Sequence, residues 1–136
     1  MKYISLLGRI LFSLIFLMSS FGHFSASSIG YAVAKGVPAA SFLVPFSGVM
    51  ELIGAISIIL GYKAKWGAWL LVLFLVPVTF MMHNFWTITD PMMRQMDMVM
   101  FLKDIGLMGA ALFFAYNGTG ALSLDNRKTV PAKVNA

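Results

Sequence analysis

Long apolar blocks alternate with short polar stretches along this chain. Four blocks stand out, at residues 3–22, 41–61, 66–86 and 97–116. A helix needs about 20 residues to cross roughly 30 Å of hydrocarbon, and each block fits. Lipid offers no water to unpaired N–H and C=O groups, so each block is expected to be a helix. The pattern predicts an all-α integral membrane four-helix bundle, one domain over residues 1–120 followed by a polar tail at 121–136. The first block imitates a secretory signal, but Arg9 lies inside it and its apolar part is long, so it reads as a retained helix.

Polar residues inside the blocks form a second pattern. Ser5, Arg9, Ser13, Ser20 and His23 fall on one side of a helical wheel, as a face buried against other helices would. Ser47, Glu51, Gly54 and Gly61 share a face of the second block, and Thr79 and His83 lie one turn apart on the third. Lys103, Gly106 and Ala110 share a face of the fourth, with Asp104 beside it. Between the first two blocks, Ser27 or Ser28 could cap a short helix that stops at Gly36. Pro77 should kink the third block. Asp90-Pro91 has the form of an N-cap followed by proline at the first helical position.

Charge adds orientation. Lys2, Lys63, Lys65, Arg127, Lys128 and Lys133 fall at one end, against Lys35 and Arg94 at the other. Tyr3, Tyr62, Trp66 and Tyr116 fall at the lysine-rich end too. Positive charge and aromatic belts together predict both termini on the cytoplasmic side. The net charge of +5 therefore reads as a topology signal, and no nucleic-acid partner is expected. Only 11% of residues are charged and 60% are hydrophobic, against about 25% charged in soluble domains. With no cysteine, the chain has no thiolate chemistry and no iron–sulfur site of its own.

Glu51 lies near the middle of its block, where an unpartnered carboxylate is costly. Counting about 1.5 Å per residue puts Lys103 and Asp104 roughly 5 Å outward of it and Arg9 roughly 5 Å inward. His83 lies farther outward, and His23 near the outer interface. The expectation is a buried cluster of Arg9, Glu51, Lys103 and Asp104 opening toward His83 and His23. Two carboxylates against two cations is a balanced set. Such a set could equally be scaffold, fixing helix register. The methionines read as apolar packing, and no metal-ligand spacing is present, so no metal site is expected.

These residues resemble the DoxX family of small four-helix membrane proteins. The resemblance runs through LLGRILFSLIFLMSSFGHF, AKGVP, GVMELIGAISIILGYKAKWGA, HNFW at 83–86, FLKDIGLMGAALF and GALSLD. It implies a four-helix bundle in a bacterial inner membrane, with Arg9, Glu51, His83 and Lys103 in register. Some members of that family are subunits of a thiosulfate:quinone oxidoreductase, and others are linked to oxidative-stress complexes with secreted partners. The family often has a neutral residue where this chain has Asp104.

Two readings follow. In the first, the chain is a redox-linked membrane subunit with a quinone site. Glu51, His83, Lys103 and Asp104 would do the proton and hydrogen-bond chemistry. Arg9, His23, Thr79, Phe80, Phe85 and Trp86 would bind the ligand, the aromatic residues by stacking. Electrons would come from a partner or a bound cofactor. In the second, the bundle is a non-catalytic binding or assembly module for a membrane or secreted protein, or for a small amphiphile. A homo-oligomer is compatible with both.

Overall fold

The computed structural model describes residues 2–129. Lys133 and the rest of the expected tail end lie outside the described residues. Four long helices form: α1 (Lys2–Gly22), α3 (Ala40–Leu60), α4 (Ala64–Met82) and α5 (Pro91–Asn117). A short helix, α2 (Ala26–Ala34), joins α1 to α3, and a 3-10 turn at Phe85–Thr87 follows α4. A last short helix is α6 (Leu124–Thr129). The four long helices, α4 counted with its 3-10 turn, are long and apolar enough to cross a membrane. The protein is thus an all-α membrane bundle. Leu7, Leu11, Met18, Phe42 and Leu73 lie exposed on the outside, where lipid replaces water as solvent.

Around the bundle α1 packs on α3, α3 on α4 and α4 on α5. Helix α1 meets α5 through side chains, with the Phe12 and Phe114 rings 5.1 Å apart. The core holds Phe16, Ile58, Leu71, Phe74, Leu75 and Ala111. As the polar stripe of α1 predicts, its buried residues are Arg9, Ser13, Phe16 and Ser20.

The helix ends follow local chemistry. Ser25, one turn ahead of the two serines expected to cap, accepts from Ser28 N and starts α2. The Asp90 carboxylate accepts from Met93 N at 2.8 Å, so the Asp-Pro signature does start α5. That start is six residues before the expected entry at 97. Helix α3 ends on Gly61 at φ 62°. There Tyr62 N donates to Ser57 O and Gly61 N to Ile58 O, the paired bonds of a left-handed helix stop.

The segment after α5 is better tied than its polarity suggests. Ser5 Oγ donates to Thr119 O at 2.8 Å, and Asp125 N donates to Gly61 O at 2.7 Å. The Asp125 carboxylate takes Lys63 N and Ala64 N, at 2.9 and 3.0 Å, capping α4 from across the chain. Both described ends of the chain therefore meet at one end of the bundle, the tail end. The opposite, loop end carries α2 and the 83–90 connection.

Candidate functional site

Glu51 is buried on α3, 1% exposed. Its nearest charged partner is not Arg9 but His23, whose Nε2 lies 3.3 Å from Glu51 Oε2. The contact is within ion-pair range but not aligned as a hydrogen bond, since Oε2 has no geometric donor. Ser19 is a further hydrogen-bonding side chain for the carboxyl group, and Lys103 and Asp104 act on it electrostatically.

His23 is held from its other side. Its Nδ1 lies 2.7 Å from Ser47 Oγ and 3.3 Å from Val44 O. The Ser47 hydroxyl donates to Val44 O at 2.7 Å. A carbonyl can only accept, so the tautomer with the proton on Nδ1 satisfies Val44 O and Ser47 Oγ together. In that tautomer Nε2 is the nitrogen that faces Glu51 Oε2. Burial pushes the His23 pKa below the ordinary histidine value, and the bond to Val44 O offsets part of that. The approach needs Gly48: a Cβ there would come within 2.7 Å of His23 Cβ and 3.0 Å of Ser20 O.

A second group lies after α4 and on α5. His83 sits between two carboxylates, with Nδ1 3.5 Å from Asp97 Oδ1 and Nε2 3.7 Å from Asp104 Oδ2. Lys103 Nζ is 3.2 Å from Asp104 Oδ1. Lys35 Nζ is 3.0 Å from Asp97 Oδ2 and 3.1 Å from Asn84 Oδ1. Although burial opposes the Lys35 charge, its bond to Asp97 and the nearby Tyr31 win, and its pKa is raised. Asp97 and Lys35 were not among the site residues expected from the sequence, where Lys35 served only as a topology signal. The signal available was their common placement at the loop end.

Between the two groups lies a cavity of about 710 Å³, lined by His23, Glu51, His83, Lys103 and Asp104 among mainly apolar side chains. Phe16, Phe46 and Phe74 contribute aromatic walls, and Ser28, Tyr31 and Ala32 of α2 roof it at the loop end. Ligand pockets commonly combine apolar walls with a few convergent polar groups at volumes of roughly 300–1,000 Å³.

Other expected site residues lie elsewhere. Arg9 is fully buried at the tail end, where Nη2 donates to Leu122 O at 2.9 Å. It runs beside Gly61, ten residues along α3 from Glu51, or about 15 Å. Arg9 therefore lies apart from the expected cluster of Arg9, Glu51, Lys103 and Asp104, and His23, not Arg9 or Lys103, makes the ion-pair contact with Glu51. The depth count assumed that the blocks begin level with one another, whereas α1 is displaced toward the tail end. Thr79 turns into its own helix, donating to Leu75 O at 2.6 Å. Phe80, Phe85 and Trp86 gather around the Phe101 ring, with centroids 5.5, 5.4 and 5.8 Å away. None of these five residues lines the cavity. Among the described residues, no three His, Asp or Glu side chains come together at metal-binding spacing.

Four apolar spans around an apolar-walled cavity that holds a few charged groups define a multi-pass helical membrane protein. Within that class, the chain belongs to the DoxX family, whose sequence pattern it matches over residues 4–84. It is 30% identical to inner membrane protein YphA of Escherichia coli (strain K12), over 90% of this chain and 88% of that protein. It is 27% identical to inner membrane protein YqjF of the same organism, over 88% of each. The spans and these relatives place it in the inner membrane, in contact with the lipid bilayer. No solved structure matches the chain.

Proposed function

We propose that the cavity binds a small ring-bearing amphiphile of the quinone class, and that the protein is a membrane subunit of a quinone-linked oxidoreductase. One observation carries this reading. The cavity has apolar walls but holds the His23–Glu51 pair on one side and Lys103, Asp104 and His83 on the other. A quinone ring needs a hydrogen-bond donor at each carbonyl and a proton source nearby, and the two groups could serve its two ends. Reduction to the quinol takes two electrons and two protons. His23–Glu51 would give and recover a proton. The chain has no cysteine, and the electrons would come from a partner protein. In the same reading, the basic tail end faces the cytoplasm.

The test is purification from native membranes into nanodiscs, followed by native mass spectrometry and lipid extraction. Wild type is expected to carry a quinone, and Glu51→Gln to carry much less. Wild type without quinone, or equal occupancy in the variant, overturns the reading. A second reading, an assembly module for another protein, draws on the exposed Trp86, Met92, Met93 and Met96 at the loop end. A stoichiometric protein partner retained by Glu51→Gln, without quinone, would select it.

A further inference from the structure

Glu51 and Asp104 are themselves buried in the cavity wall, so a site that consumes protons needs carriers that reach them. Asp104 is 3% exposed. Asp97 lies two helical turns nearer the loop end on the same helix, its side chain 15% exposed. Seven residues along α5 return nearly to the same face. The His83 ring occupies the interval, with one nitrogen toward each carboxylate, at 3.5 and 3.7 Å. Nδ1 is buried and has no hydrogen-bond partner in this arrangement. A buried ring nitrogen without a partner is costly. A shift of about half an ångström, or one water, would bring either carboxylate into bonding range.

We infer that Asp97, His83 and Asp104 form a proton path from the loop-end surface to the cavity, with Lys35 as the clasp over its entrance.

The steps balance. Asp97 takes a proton from water and passes it to Nδ1 of a His83 that carries its own proton on Nε2. The imidazolium releases that Nε2 proton to Asp104 Oδ2, and the neutral ring is left protonated at Nδ1. Turning of the ring, or transfer in reverse, resets it. Lys103 Nζ lies 3.2 Å from Asp104 Oδ1, which leaves Oδ2 toward His83. Lys35, the C-cap of α2, holds Asp97 Oδ2 at 3.0 Å and so covers that oxygen at the loop end. Removing the ammonium leaves the oxygen free for water. Asn84 holds Lys35 from the connection that also carries His83, so the clasp and the relay share one short segment. The path serves the proton demand of the proposed quinone reduction and rests on that reading for its purpose, but its test needs no quinone.

The test follows proton exchange at Asp104 in the full chain in nanodiscs by infrared spectroscopy. The Asp104 carboxyl band is the one lost in Asp104→Asn, read at the pH where it is half developed. On perfusion with deuterated buffer, its shift reports how fast that proton meets water. Asp97→Asn and His83→Gln are expected to slow the shift on the order of a hundredfold, the low end of what a placed proton carrier contributes. Asp97→Asn keeps the shape of the side chain and an oxygen for Lys35, so it separates proton carriage from packing. Lys35→Gln is expected to exchange at least as fast as wild type. Wild-type exchange in Asp97→Asn overturns the path, as does slowing in Lys35→Gln equal to that in Asp97→Asn. Slowed exchange in Asp97→Asn and His83→Gln, with wild type that binds no quinone, would keep the path and remove the proposed function, so the two failures are distinguishable.

Discussion

Val44 O can accept but not donate, and together with Ser47 Oγ it favours the tautomer of His23 that carries its proton on Nδ1. Ser47 tightens the arrangement by accepting at 2.7 Å. Ser47→Ala leaves only the longer bond to Val44 O, so the ring should relax into a mixture of tautomers. Nitrogen-15 spectra of labelled histidine read this directly, because the chain has two histidines. An unchanged single tautomer in the variant would refute the assignment. Lys35 gives a second expectation. Its folded pKa is raised, so its contribution to stability is fully present below the ordinary value of 10.5 and is lost as pH rises through the folded value above it. The clasp should stay closed across the neutral range. Lys35→Gln at neutral pH should speed amide exchange over residues 26–37, while α3 keeps its protection. At this scale the sequence exposed the residues but not their partners. Glu51, His83, Lys103 and Asp104 were legible because charge inside an apolar block has few alternatives to function or pairing. That His23 rather than Arg9 would meet Glu51 depends on how far α1 slides against α3, and no single residue announces that.

At the level of elements, small residues decide how closely helices sit. Gly61 combines a positive φ of 62° with a site where a Cβ would meet Ser123 Cβ and come within 2.6 Å of Arg9 Nη1. Gly61→Ala should cost about 1–2 kcal/mol for the left-handed backbone and about 1–3 kcal/mol for overpacking. Thermal unfolding in detergent should show a clear loss, and a wild-type midpoint would refute the tight α3–α4 corner. Gly48→Ala should be milder for the fold but should move His23 away from Glu51 and lower ligand occupancy. The four spans were legible because hydrocarbon thickness sets their length. Their ends were less so. Arg94, Gln95 and Asp97 are polar, so the hydropathy pattern hid the first turns of α5, although Asp90-Pro91 marked the true start. Ser25, Ser27 and Ser28 offer nearly equal capping chemistry, and the tertiary frame chooses among them. Helix α6 left no signal at all. Its anchors, Gly61 O and the backbone N–H groups of Lys63 and Ala64, lie about sixty residues back in the chain.

For the whole molecule, the two ends of the bundle differ in kind. The loop end holds the cavity roof and the ion-pair chain, and the tail end holds a closed seal around Arg9. The proposed topology can be checked because the chain has no cysteine. Thr89→Cys should react with an impermeant maleimide from the outer face of the membrane, and Arg127→Cys only after permeabilisation. The reverse pattern would invert the orientation. The seal has its own consequence. Arg9 lies in α1, yet its acceptor, Leu122 O, lies 113 positions later. Arg9 Nε and Nη1 have no other acceptor among the described residues. During synthesis the guanidinium therefore lacks this acceptor until α5 has been threaded and the chain has turned back over the bundle. A chain interrupted before residue 122 would be left with that charge unmatched at the tail end.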